Sequence, residues 1–329
     1  MQDIITRFKD CGVLVVGDVV LDEYLIGKAT RISREAPIPV LEFESRHLIP
    51  GGAANPAVNI SRLGGRAYQA AVVGADANGH QLSDVLLEHH IDIAAIVRDT
   101  SRTTTVKTRI MAQMGFRFPQ QIARIDRVHR VPISDKVQQV ILESIQDQLM
   151  RVNAVLFSDY HAGLLTPDLV RHIVDYVGVH QPHVILTADA QGELQKYSGL
   201  HLVKCNANDA QAYLGRPLMD DADFAMAARQ LYEALGLTGA MVITRGADGA
   251  TLANDEHEHH VPAPAVLDVY DTVGAGDTAI AVMTLALAVG ALHQHAVLLA
   301  NVASGLVIRK VGNYAPTPEE LARAVAMWS

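Results

Sequence analysis

The chain has 329 residues, 49% of them hydrophobic, with 27 basic against 36 acidic side chains, enough for one large α/β domain or two smaller ones. The acidic balance argues against a nucleic-acid binder, which needs a basic face to neutralise phosphates, and leaves room for a small anionic ligand held by local cations. Two cysteines, Cys11 and Cys205, make neither a disulfide framework nor a zinc cluster and read as buried thiols of a reducing compartment.

The opening MQDIITRFKD mixes charges and lacks the apolar core of a signal peptide. The longest apolar stretch, 278–292, is too short to span a bilayer, so no membrane partner and a cytoplasmic location are expected. Short apolar runs at 13–20, 67–76, 153–160, 183–190, 200–209 and 240–249 read as buried strands, several ending in Gly, Asp or Asn. Helical patterns lie between them, at 55–65, 79–90 and 134–152. That alternation predicts an α/β fold with a mainly parallel sheet covered on both faces, and ligands gather beyond the carboxyl ends of such strands.

Two stretches, 23–52 and 103–126, alternate polar with apolar residues and lack helix patterns. They read as exposed strands of a small second sheet, which either closes over a ligand or pairs with another subunit. No repeat or Gly/Ser linker interrupts the chain. The expected organisation is one domain, 1–329, with a lid formed by segments about 19–50 and 100–126.

Near the C-terminus stands DVYDTVGAGDTAIAVMTLALAVGAL, 268–292. Gly274, Gly276 and Ala279 fit the spacing of a dinucleotide-binding turn. That reading fails: the turn comes late, no acid-ended strand follows it, and Asp277 would repel a pyrophosphate. Two readings of Asp277 stay open. Aspartate is a favoured helix N-cap. Alternatively, free amides of Gly274, Ala275 and Gly276 form an anion hole for a transferring phosphoryl group, while the ionised carboxylate takes a proton from an attacking hydroxyl. No Walker sequence occurs, so any nucleotide site is not a P-loop.

DTVGAGDT together with PGGAANPAVNISRLGG (50–65) resembles the paired signatures of the ribokinase-like (PfkB) carbohydrate kinases. Within that family VVGDVVLDEYLIG, RISREAPIPV, TTVKTRI and FSDY are most similar to the D-glycero-β-D-manno-heptose 7-phosphate kinase subgroup. The resemblance implies a three-layer α/β/α sandwich with a β-sheet lid, ATP-dependent phosphorylation of the heptose at O1 to the 1,7-bisphosphate, and a homodimer paired through the lid. It makes Asp277 the general base and Gly274, Ala275 and Gly276 its anion hole. Asp18, Asp22, Gly51, Gly52, Asn55 and Asp159 would line the sugar, with Lys107 and Arg109 on a lid strand as cations for a sugar phosphate and Arg31 and Arg34 in the other lid stretch. Without the resemblance, Asp18 reads equally as a turn residue and Asn55 as a cap before Pro56.

For ATP, ITRGADG places Thr244, Arg245, Gly246 and Gly249 near the phosphates, and Asn301 beside the adenine. The family's NxxE element appears as Asn206 to Asp209, with Asp209 reaching Mg2+ through water. A monovalent cation such as K+ would sit near Asp271 and 309–313. Departures are plain as well: Asp209 stands for a Glu, Ala162 and Gln191 stand where the subgroup has lysines, and Thr272-Val273 replaces a hydroxyl doublet. His161 could partly compensate. A kinase for another sugar of the ribokinase or fructokinase type, and a catalytically silent sugar- or nucleotide-binding homologue, therefore stay open. The subgroup is often fused to a nucleotidyltransferase; with the chain ending at Ser329, that step is expected to fall to a separate protein. The histidines of NDEHEHH (254–260), which alternate across a strand, read as a solvated hairpin tip and not a metal site.

Overall fold

The computed structural model describes residues 1–113, 119–266 and 268–328; positions 114–118 of the second lid stretch lie outside the described residues. In chain order, α1 (Gln2–Thr6) leads into β1 (Gly12–Gly17), and two long strands follow, β2 (Val19–Ile32) and β3 (Pro39–Gly52). Then come α2 (Ala54–Arg62), β4 (Arg66–Gly74), α3 (Ala77–Glu88) and β5 (Asp92–Asp99), with β6 (Val106–Gln113) and β7 (Gln120–Arg127) after them. The alternation resumes with α4 (Asp135–Leu149), β8 (Ala154–Ser158), α5 (Pro167–His180), β9 (Ile185–Asp189), β10 (Leu202–Asn206), α6 (Ala207–Leu214), α7 (Asp221–Ala234) and β11 (Ala240–Thr244). A hairpin of β12 (Ala250–Ala253) and β13 (Glu258–Val261) precedes α8 (Ala275–Ala288), α9 (His293–Val307) and α10 (Pro318–Trp328).

Nine strands form the main sheet in the order β13-β12-β11-β10-β9-β8-β1-β4-β5. The seven from β11 to β5 run parallel, and the β12–β13 hairpin closes one edge antiparallel. Strands β1 and β8 carry apolar residues on successive positions because both faces are covered. One apolar layer lies under α2, α3, α8, α9 and α10. The other lies under α4, α5 and α7. The helices start where short polar side chains can satisfy free amides: Ser134, Thr166, Asn206 and Asp220 each accept from the amide three residues on.

The second sheet has the order β3-β2-β6-β7 and is built from the two stretches that broke the helical rhythm. Strand β2 is buried where it leaves the main body and exposed at its far end, and β7 is exposed throughout. The order of the main sheet reverses at β1, with β4 on one side and β8 on the other. Such a reversal opens a crevice beyond the carboxyl ends of the strands. No helix among the described residues is long and apolar enough to cross a membrane.

Candidate active site

The crevice is floored by the start of α8. Gly274 takes a left-handed conformation (φ 81°) that side chains resist, and its carbonyl accepts from Thr278 N at 2.9 Å. The helix thus begins at Ala275 with Gly274 as its cap, and Asp277 lies within the first turn. Asp277 makes no capping contact, which removes the N-cap reading. Its carboxylate turns sideways: Oδ2 accepts from Asn55 Nδ2 at 2.7 Å, and Oδ1 from the Tyr160 hydroxyl at 2.7 Å. Burial first, then the charge of Asp189, push this carboxyl up to about 6, against Asn55, Tyr160 and Lys204. The sequence led to an ionised carboxylate at this position, and burial works against that form. It is mostly ionised at pH 7 but titrates just below.

Lys204 shares the crevice. Strand alternation turns Val203 and Cys205 to one face and Leu202 and Lys204 to the other, so Lys204 reaches from the end of β10 to the α8 start. A Cβ added at Gly276 would meet Lys204 Nζ at 3.2 Å. A cation is unfavourable at a helix N-terminus, and here Asp189 neutralises it, Oδ1 accepting from Nζ at 2.7 Å with both side chains buried. An arriving anion would meet the first-turn amides and Lys204 together.

The residues expected around the sugar converge, in unequal roles. Asp18 follows β1 and is buried; its carboxylate accepts from the amides of Tyr160 (3.3 Å), Ala162 (2.9 Å) and Leu164 (3.0 Å). Burial raises its proton affinity, against those amides. Its oxygens thus hold the loop after β8, and a sugar contact would compete with that. Asp22 pairs with Arg109 across β2 and β6, and Gly51 leaves room for the Asp22 carboxylate where a Cβ would collide with it. Gly52 faces Val19 at the end of β3, beside the entry to α2. Asn55 is buried in the first turn of α2, whose cap position is Ala53. Lys107 Nζ lies 5.8 Å from the centre of the Tyr160 ring. Asp159 turns inward to Lys196 (2.6 Å) and the Tyr197 hydroxyl (2.9 Å); against burial, Lys196 holds its carboxyl below the ordinary range. His161 contacts the Gln191 carbonyl and so ties the two loops where the cations were missing.

On the other side of α8 lies a cavity of about 490 Å³. Pro264, Val266, Val269 and Ile308 supply apolar walls, and Asn301 and Ser304 polar ones. Thr244, Gly246, Gly249 and Gly276 also line it, which connects the cavity to the anion hole. Asn301 Nδ2 donates to the carbonyls of Val261 (2.9 Å) and Pro262 (3.2 Å), fixing one wall. Arg245 departs from expectation: it pairs with Asp221 at 2.7 Å and covers the Phe224 ring at 4.1 Å. Asn206 caps α6 by accepting from Asp209 N at 2.9 Å. Asp209 keeps one buried oxygen, Oδ2, without a hydrogen-bond partner among the described residues, and burial raises its proton affinity. An orphaned carboxylate oxygen suits a hydrated divalent cation. Asp271 accepts from Val273 N and Gly312 N, both at 3.0 Å, joining the two loops expected around a monovalent cation. A buried oxygen there, Asn313 Oδ1 near Gly274, has no hydrogen-bond partner among the described residues. His257, His259 and His260 join no three-ligand group among the described residues.

Sequence reasoning missed Lys204, Asp189 and Tyr160 as site residues. The lysine left a signal, a lone cation inside the apolar run LHLVKCN. Tyr160 stood in the FSDY segment already singled out, but nothing local pointed to its partner, which lies 117 positions away.

The pfkB family carbohydrate kinase pattern matches residues 12–320. The bifunctional protein HldE of Geobacter metallireducens is 38% identical over 323 residues, 98% of this chain and 64% of that protein. HldE of Acidiphilium cryptum is 35% identical over 314 residues, 95% of this chain and 63% of that protein. The chain thus spans slightly under two thirds of the length of these relatives. Among solved structures, phosphofructokinase-2 from Escherichia coli in complex with potassium superposes with a TM-score of 0.76 at 19% identity, covering 96% of this chain and 99% of that one. Ribokinase from Arabidopsis thaliana, complexed with ribose and ATP, gives 0.72 at 17%, covering 96% and 98%. At such identities the likeness shows the fold, which is ribokinase-like.

Proposed function

This chain belongs to the pfkB family of carbohydrate kinases and is an ATP-dependent sugar kinase, and we propose that its acceptor is D-glycero-β-D-manno-heptose 7-phosphate, phosphorylated at O1. The carrying observation is the placement of two charges beside one side chain. Lys107 on the lid and Asp277 on α8 flank the same side chain, Tyr160. A sugar phosphate lying between them would have its phosphate near Lys107 and a hydroxyl at Asp277. The relatives at 34–39% identity are bifunctional HldE proteins, which supports a heptose phosphate over a free sugar.

In this reading Asp277 takes the proton as the acceptor oxygen attacks the γ-phosphorus of ATP. The amides of the α8 start and Lys204 hold the charge that develops on the transferring group. The purine lies in the cavity walled by Pro264, Val266 and Asn301. Magnesium would be held through Asp209 and a monovalent cation through Asn313, each supplying charge neutralisation when bound. The lid closes over the sugar as part of one kinase domain and pairs two chains: Ile32, Ile38 and Phe43 stand 64%, 57% and 70% exposed on it.

Ala162 and Gln191, where cations were expected, favour a second reading, a kinase for a sugar without a second phosphate. A panel of heptose 7-phosphate, fructose 6-phosphate, fructose and ribose, followed by ADP release and phosphorus NMR, separates the two. The heptose reading expects the highest kcat/KM and a new anomeric phosphate with heptose 7-phosphate. Turnover of free sugars with none of heptose 7-phosphate sinks it, and tight binding with no turnover of any would mark a silent homologue.

A further inference from the structure

Asn55 and Tyr160 both donate to Asp277, and the reaction above gives neither a role; Tyr160 is the less expected of the two. Its backbone is pinned by Asp18, which accepts from the amides of residues 160, 162 and 164. Its hydroxyl donates to Asp277 Oδ1 at 2.7 Å. Burial, then the neighbouring Asp277 charge, push the phenol's proton affinity well above its ordinary value, so it serves as a fixed donor and not as a rival base.

The contact solves a local conflict. A carboxylate in the first turn of a helix is drawn toward the free amides there, and Lys204 offers it a cation. If Asp277 turned to either, it would fill the anion hole and leave the acceptor without a base. Asn55 and Tyr160 take one oxygen each and hold the group facing α2 and the loop after β8. Each carboxylate oxygen has a second lone pair, so a sugar hydroxyl can still donate.

We propose that Tyr160 is a positioning residue that, with Asn55, holds the Asp277 carboxylate toward the acceptor and away from the phosphate-binding amides. The proposal rests on Asp277 as the base and adds the device that keeps it in place. A hydrogen bond to the ionised form also favours that form. The other groups facing Asp277 are Asp189 from β9 and Lys204 from β10, and beyond the phenol ring stands Lys107 from β6.

The test is Tyr160→Phe, which keeps the ring and removes only the hydroxyl, assayed on the panel sugar that turns over fastest. We expect kcat to fall about ten- to a hundredfold, an unchanged KM for ATP, and an acid limb of the kcat profile raised by about one pH unit. Asp189→Asn, which removes a repelling charge, should move that limb the opposite way. Should Tyr160→Phe fail to fold, 3-fluorotyrosine at position 160 donates more strongly and should lower the limb. An acid limb unmoved or shifted against these directions overturns the proposal, whatever happens to melting temperature. If Asp277→Asn keeps its turnover, the base reading falls instead; if Asp277→Asn is inactive while Tyr160→Phe matches the parent enzyme, only the role given to Tyr160 falls.

Discussion

Replacing Asp277 with Asn should make a more stable protein and a dead enzyme. The carboxyl is raised from 3.8 to about 6, chiefly by burial. Between those values the native state holds more protons than the unfolded chain, so this group's contribution to stability is full below about pH 4 and is lost as pH rises through 6. Two units at about 1.36 kcal/mol each give an upper bound of about 3 kcal/mol at pH 8. The residue is partly exposed, and screening trims this to about 1–2 kcal/mol. Asparagine offers one acceptor to two donors, but the Tyr160 hydroxyl can rotate to accept from the new amide. Melting should therefore rise by about 2–4 °C at pH 8 and stay level at pH 4. Turnover should fall about 10²–10⁴-fold with the loss of the base, while ATP binding is retained. Thermal melts at both pH values and coupled ADP release measure this. Turnover within threefold of the parent, or equal melting shifts at pH 8 and pH 4, would refute the reasoning.

Three further substitutions probe the surroundings. Lys204→Met strands the buried Asp189 charge and should destabilise by about 3–5 kcal/mol, with turnover down about a hundredfold; Lys204→Met/Asp189→Asn should regain melting temperature but not activity. Asp18→Ala removes the acceptor of three loop amides, and a loss of about 1–3 kcal/mol with a raised sugar KM should appear in denaturant titrations and kinetics. Gly249→Ala forces a side chain onto a residue with φ 87° and against the Val261 carbonyl, so the hairpin beside the cavity should shift and the KM for ATP rise at least tenfold, read by steady-state kinetics.

Much of this could be read from the chain itself. The six apolar runs became β1, β4, β8, β9, β10 and β11 because a strand covered on both faces shows as an uninterrupted apolar stretch. The polar–apolar alternation of 23–52 and 103–126 marked the lid for the opposite reason, its strands standing largely in solvent away from the main body. The edge strand β5 escaped because its eight residues of mixed burial carry little periodicity, and β12 because four buried residues are too few to show any; of the hairpin, only the tip at 254–260 was legible. In the site, Asp277 and Asn55 were legible as motif positions, but the partners of Asp18 and Asp159 were not. Those partners are backbone amides about 144 positions away and a lysine 37 positions on, and contacts of that range leave no local pattern. Asp18 and Asp159 are the same residue type in similar strand-end settings, and only the packed structure shows their oxygens already engaged.

The central claim is that a single carboxylate, Asp277, receives the acceptor's proton while the start of α8 holds the phosphate. A crystal structure with a non-hydrolysable ATP analogue and heptose 7-phosphate tests it most directly. The account predicts O1 of the sugar within about 2.6–3.2 Å of Asp277, with the γ-phosphate on the amides of Ala275 and Gly276 beside Lys204. A sugar whose reacting oxygen sits against Asp18 or Asp189, with Asp277 out of hydrogen-bond reach, would contradict it.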